Sequence, residues 1–414
     1  MKTIKAPAKL ARSKSKNKKS LKLLPEAGFW GFIICACSAA ALLIWRLSSA
    51  TGGNASAQEI NTKHMLLIHS PWWKSIKSIY GPYYLLLHGT FALGHSLFAL
   101  RLSSVICGLL TVVIVYWIAR EWHGYKIGLL SAAVILLNFG FLAVSRQATP
   151  NVSQLLMLAG LLAAILLIKR ENAKYGLPVL AFVCAMAFYV PGGFWFALAA
   201  IWLVRKDIYS ARLNFSKKQL SAMTAVFFAL IAPLGYLLIR DYSNYRLENW
   251  LGYGLSGKPH ALHSIGVNLI NTPLDLFVRS SNLPAGLSLG HMPLLPVTFT
   301  LLVALGLYSY ITLLRNWRWQ SVLLLIAIAW LLSGFGLVTP LAVLPLLALC
   351  AGTGTAYLLK QWYVVFPRNP LARSAGILVI FSVILFTGLV AARSYIVAWA
   401  NDPETLSSYI YRIN

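Results

Sequence analysis

The chain has 414 residues, 58% of them hydrophobic and 11% charged, with a formal net charge of +26. Soluble domains carry about 45–50% apolar and about 25% charged residues, so a mean hydropathy of +0.70 excludes a water-soluble globular fold. In such a chain the basic excess describes lipid contact and topology, which argues against a nucleic-acid partner.

The segment Met1 to Lys22 carries nine Lys or Arg among Ser, Ala and Asn and has no apolar stripe. It reads as a basic topology signal. Crossing the hydrocarbon needs about 20 apolar residues. Such runs occur near 29–45, 98–119, 127–144, 152–168, 176–190, 192–204, 219–239, 295–314, 320–337, 340–359 and 375–396. The first lacks a small-residue cleavage site and is expected to be a retained helix. The runs 176–190 and 192–204 are short and read as a hairpin turning at Pro191-Gly192-Gly193. The expected fold is all-α, a polytopic membrane protein with about eleven transmembrane helices.

Orientation follows from the basic residues, because cytoplasmic loops carry the excess. Assigning the tail and alternate loops to one side places 24 of the 36 Lys and Arg there. The N-terminus is therefore expected in the cytoplasm of a plasma membrane, with the active site on the other face. Four regions follow: a basic cytoplasmic tail 1–28; a core 29–205 with an outer loop 48–97; a C-terminal transmembrane half 206–396 with an outer loop 240–294; and an outer tail 397–414. Within the first loop, the polar stretch from Gln58 to His64 and the Pro71-Trp72-Trp73-Lys74 run suit amphipathic helices at the interface. The five cysteines all fall inside spans with no ligand spacing, which suggests neither a disulfide framework nor a zinc site.

From Tyr83 to Gly124 the sequence reads YYLLLHGTFALGHSLFALRLSSVICGLLTVVIVYWIAREWHG. With Pro82-Tyr83-Tyr84, Ala99 to Ser104, Ala119-Arg120 before Gly124, and the later Ser145-Arg146-Gln147-Ala148 turn, it resembles the bacterial GT-C membrane glycosyltransferases. These include the protein O-mannosyltransferase and aminoarabinose transferase families. The resemblance covers residues 29–205, with a further Pro340 to Leu349 segment similar to a late helix of the family. It implies a GT-C-like fold and transfer of a sugar from a polyprenyl-phosphate donor to a glycan, lipid or protein acceptor on the extracytoplasmic face, presumed inverting.

In that chemistry an outer-loop carboxylate takes the proton of the acceptor hydroxyl, and basic side chains hold the departing lipid phosphate. The resemblance assigns Glu59 as the catalytic base, since it alone lies in the loop where the family keeps one. Other acids in outer segments are Asp241, Glu248, Asp275, Asp402 and Glu404. Arg101 and Arg146, at the outer ends of the second and third spans, are the candidate phosphate ligands; interfacial anchoring is the alternative. Arg240, Arg246, Lys258 and Arg279 are further basic candidates. Asn61 and His64 are expected to orient the acceptor if residues 57–68 are helical. Tyr83, Tyr84 and His88 are expected to contact substrate, unless the tyrosines, like Trp72 and Trp73, merely belong to an aromatic belt.

Two departures from the family matter. Its Asp-Glu pair is Gln58-Glu59 here, and the acid of its Ser-Arg-Glu-Ala turn is Gln147. A non-catalytic relative that binds lipid-linked sugar is therefore the principal rival. A transporter is a weaker one, because the acids avoid the spans. The histidines suggest a divalent metal only through His260 and His263, and no acid or cysteine accompanies them at ligand spacing. The run Gly252 to Pro259 lacks the Ser or Thr and the preceding strand of a phosphate loop.

Overall fold

The computed structural model describes residues 26–49, 51–68, 74, 78–170, 173–240, 261–280, 283–312 and 316–412. These form helices and turns, and their only strand-like pairing is an isolated bridge between Ala55 and Tyr411. The helices run, in order, α1 (Glu26–Ile44), α2 (Ala57–Ile68), α3 (Gly81–Phe91), α4 (Leu97–His123), α5 (Tyr125–Leu136), α6 (Phe139–Arg146), α7 (Val152–Lys169) and α8 (Ala173–Ala187). There follow α9 (Gly193–Arg212), α10 (Lys217–Arg240), α11 (Ala261–Phe277), α12 (Val297–Thr312), α13 (Trp317–Gly334), α14 (Leu344–Val365), α15 (Pro370–Arg393) and α16 (Pro403–Ser408).

Length and hydropathy qualify six of the described helices as membrane spans, or seven if one bent pair counts as a single span. Three shorter apolar helices, within α1, α8 and α12, fall below that length. The count of eleven read from the sequence is thus not reached by these criteria, although each predicted run contains helix among its described residues. The run 127–144 is not one straight helix. It breaks between α5 and α6 with a 68° bend. Asn138 explains the break: its side chain accepts from Phe141 N–H, capping α6, and donates to the Leu294 carbonyl at 2.8 Å. A polar side chain in an apolar run can serve here because it satisfies the backbone groups the bend exposes.

The predicted hairpin at Pro191-Gly192-Gly193 is present between α8 and α9. Gly192 has φ +71°, and a Cβ at Gly193 would fall 1.8 Å from the Ala187 carbonyl oxygen. The buried centre consists of α4, α5, α7 and α14. Without a hydrophobic driving force between helices in lipid, close approach depends on small residues. At the α12–α14 contact a Cβ on Gly306 or Gly354 would fall 2.0 Å from the Cys350 or Leu302 carbonyl oxygen.

The bundle has two chemically different ends. One joins the end of α1, the starts of α4, α7 and α14, the end of α6 and the segment after α15. The other joins the start of α1, the end of α4, the start of α5 and the ends of α7 and α9, which carry Arg120, Lys126, Lys169, Arg170, Arg205, Lys206 and Arg212. Residues Trp72, Trp73, Asp241, Arg246, Glu248, His260 and the run Gly252 to Pro259 lie outside the described residues, as does the Met1 to Lys22 tail.

Candidate active site

At the first end the sequence Ser56-Ala57-Gln58-Glu59 starts α2 as a capping box. Glu59 N–H donates to Ser56 Oγ at 3.3 Å, and Glu59 Oε2 accepts from Ser56 N–H at 3.0 Å. This reciprocal bonding satisfies two amides that a helix start leaves open. It also turns the Glu59 carboxylate inward. Glu59 is fully buried, and both its oxygens accept from Arg101: Nε to Oε1 at 2.7 Å and Nη2 to Oε2 at 2.9 Å. Oε1 accepts again from Ala148 N–H at 3.0 Å. Four donors thus occupy a group with about four acceptor positions.

Arg101, 3% exposed, is as fully engaged. Its Nη1 donates to the Leu47 carbonyl at 2.7 Å and its Nη2 to the Asn54 carbonyl at 3.2 Å. One α4 residue therefore ties together the segment after α1, the start of α2 and, through Glu59, the corner between α6 and α7.

Arg146, the last residue of α6, is equally buried but differently supplied. Its Nη2 donates to the Trp45 carbonyl, and its guanidinium lies 5.2 Å from the Tyr395 ring centroid. Its Nε has no partner, and among the described residues no carboxylate oxygen lies within 4.0 Å of it. The next residue after Trp45, the exposed Arg46, holds a left-handed φ of +53°. For a non-glycine residue this stores strain of about 1–3 kcal/mol.

The C-terminal segment closes this end. α15 runs into one π turn, Ser394–Ala398, a distortion frequent at functional sites, and that turn carries Tyr395. Tyr395 stacks on Trp399 at 4.8 Å, and Trp399 meets Tyr409 edge-on at 5.5 Å. Tyr409 in turn faces Arg101 at 6.0 Å, so one aromatic column links the two buried arginines. Burial, then the Glu59 charge, pushes the Tyr409 hydroxyl well above its ordinary range, keeping it neutral. Two hydrogen bonds between Ala55 and Tyr411, at 2.7 and 3.2 Å, fasten the segment to the first loop.

Gln147 and Gln154 complete the frame. Gln147 Nε2 donates to the Gly286 carbonyl, so the amide standing where the family has an acid holds the 285–287 turn. Gln154 reaches Tyr80, the Leu337 carbonyl and both Thr339 N–H and Oγ1. Burial raises the Tyr80 hydroxyl to about 12. An apolar groove of about 380 Å³ lies beside α6, α12 and α15, lined among others by Phe139, Pro296, Phe386 and Ser394. Phe139 packs 5.8 Å from the Tyr395 ring, so one aromatic side chain separates the groove from Arg146.

The predicted residues divide clearly. Glu59, Arg101 and Arg146 come together. Asn61 and His64 do not join them, although α2 covers residues 57–68 as expected. At 100° per residue, positions two and five beyond Glu59 lie on another face, and both are exposed while Glu59, Thr62 and Leu66 are buried. Tyr83 is buried with its hydroxyl 2.8 Å from Ser104 Oγ, joining α3 to α4. Tyr84 is buried beside it, and His88 is half-buried on the same helix. Neither tyrosine belongs to an exposed aromatic belt. Of the remaining acids, Asp402 caps α16 by accepting from Thr405 N–H at 3.2 Å, Asp275 is buried in the last turn of α11, and Glu404 is exposed. Arg279 is exposed. No cluster of three potential metal ligands occurs among the described residues.

Residues 80–237 match the family model described as dolichyl-phosphate-mannose-protein mannosyltransferase, a stretch that contains Arg101 and Arg146 and begins after Glu59. No curated protein sequence matches the chain. Among solved structures it is similar to ArnT from Cupriavidus metallidurans bound to undecaprenyl phosphate, with a TM-score of 0.53 and 11% identity over 92% of this chain and 77% of that one. The apo form of that ArnT gives a TM-score of 0.49 at 12% identity, over 93% and 75%. The chain has the GT-C membrane glycosyltransferase fold, and its residues 80–237 carry the sequence pattern of the mannosyltransferase family.

Proposed function

We propose that this protein is a membrane glycosyltransferase that takes a sugar from a polyprenyl-phosphate donor and transfers it to an acceptor on the extracytoplasmic face, with the basic end of the bundle in the cytoplasm. The observation that carries the reading is Arg146: a 3%-exposed guanidinium with an unpartnered Nε and, among the described residues, no carboxylate beside it. An uncompensated buried charge is costly, and it repays that cost when an anion arrives. The donor's lipid phosphate is such an anion, and the apolar groove beyond Tyr395 suits the first isoprene units.

In the reaction the acceptor oxygen bonds to the anomeric carbon while the bond from that carbon to the phosphate oxygen breaks. The departing polyprenyl phosphate keeps the electron pair, and Arg146 stabilises the charge that develops there. The acceptor proton leaves to a base. Glu59, the acid assigned by family resemblance, has four donors on it, and we assign it the task of positioning Arg101 and the α6–α7 corner. For Glu59 to act as the base instead, one of these bonds must open when substrate binds. The same filled carboxylate, with Gln58 and Gln147 in place of acids, favours a second reading in which the scaffold binds lipid-linked sugar without reacting.

The test is transfer of radiolabelled sugar from a panel of polyprenyl-phosphate sugars in membranes expressing wild type, Arg146→Gln or Glu59→Gln. The proposal expects transfer by wild type and a loss of about 10²–10³ in rate for Arg146→Gln at unchanged protein level. Wild-type rates in Arg146→Gln sink it. No transfer from any donor, with undecaprenyl phosphate retained by wild type but not by Arg146→Gln, selects the non-reacting binder. For Glu59→Gln, lost activity with an unchanged melting temperature identifies a base, whereas a lowered melting temperature identifies the positioning role.

A further inference from the structure

We infer a second lipid site at the opposite end of the bundle, built to hold an anionic glycerophospholipid. A cavity of about 720 Å³ opens there between α5, α14 and α15. Its walls are apolar, with Leu129, Leu359, Ile380 and Phe381 among them, and its two lining ammonium groups are Lys126 and Lys360. Both lysines are exposed. Arg373 adds a third cation, stacked 5.4 Å over the lining Tyr363 ring. Among the described residues no Asp or Glu lines the cavity. The described acids of the neighbouring helix ends are already committed, Glu121 to Arg170 and Asp207 to Lys169.

Three cations and an apolar trough match one class of molecule, a phosphate-bearing headgroup with acyl chains attached. A free anion would leave the trough unfilled, and a zwitterionic lipid would bring a cation up against the lysines. The lining includes Gly124 (φ +94°), whose following helix α5 has no side-chain cap, so its first amides also face this end. Helix starts of this kind favour phosphate. The site lies at the far end of α4 and α5 from Arg146 and does not depend on the donor chemistry there.

The experiment reconstitutes the full chain in nanodiscs of mixed phosphatidylglycerol and phosphatidylcholine and counts retained lipid by native mass spectrometry. Wild type is expected to retain phosphatidylglycerol preferentially. In Lys126→Gln/Lys360→Gln that preference should fall by about fivefold per lysine removed, and in Ile380→Trp, which fills the trough, retention of the bound lipid should be lost. Circular dichroism and melting temperature establish that each variant is folded. Equal retention of both lipids by wild type, or undiminished phosphatidylglycerol retention in the double variant, overturns the inference. So does displacement of the lipid by inorganic phosphate alone, which would mark a simple ion site.

Discussion

The two ends of the bundle carry the same kinds of charged residue and treat them in opposite ways. At the site end Glu59 and Arg101 meet with 0% and 3% of their side chains exposed, whereas at the basic end Arg170 and Glu121 pair at 41% and 16%. An ion pair open to solvent adds little stability, because water and salt screen it. A buried pair does not necessarily stabilise either, yet breaking one is expensive because the orphaned charge stays behind. Charge at the basic end is therefore replaceable as far as stability goes, while the Glu59–Arg101 pair at the site end is architecture. Arg146 departs from both patterns, being buried like Arg101 but without an acid.

The sharpest way to break this contrast is Arg101→Ala, which leaves Glu59 buried without its cation. It should lower stability by about 3–5 kcal/mol, read as a fall in melting temperature of the purified protein. Arg170→Ala at the other end should cost less than about 1 kcal/mol. Equal losses would erase the distinction. Next comes Ser56→Ala, which removes one half of the capping box and should cost about 1 kcal/mol while leaving the Arg101 pair in place. Arg146→Gln should leave the melting temperature unchanged or raise it, since it removes an uncompensated buried charge; a marked fall would mean that the arginine already has a structural counter-charge. The smallest effects belong to Asn61→Ala and His64→Ala, exposed on the far face of α2. Each should stay within about 0.5 kcal/mol of wild type and leave sugar transfer intact, and a loss of transfer in either would return α2's outer face to the site.

What could be read in advance follows the range of the interaction. Helical runs show in local hydropathy, and the Pro191-Gly192-Gly193 turn shows in composition. Glu59, Arg101 and Arg146 stand out one by one, because charges near apolar runs are rare. That Glu59 meets Arg101 across 42 residues is not written in either neighbourhood. Asn138 could have signalled the break between α5 and α6, as a lone amide within an apolar run, and Ser56 three residues before Glu59 is a legible capping box. Asn61 and His64 share α2 with Glu59 but not its buried face, since a shared helix is not a shared face. Tyr395, Trp399 and Tyr409 gave no signal, because aromatic residues near a membrane surface need no ligand and nothing in that segment says where it docks.

The Ala55–Tyr411 bridge sets an order of assembly. Residues 47 to 59 emerge early in synthesis, but the strap that fastens them is made some 350 positions later, after the intervening spans. Closing so long a loop is worthwhile only once its ends are already held near each other. The wall that Tyr395, Trp399 and Tyr409 build beside Arg146 thus forms late, and a nascent chain leaves that side open until residues 395–411 have been made.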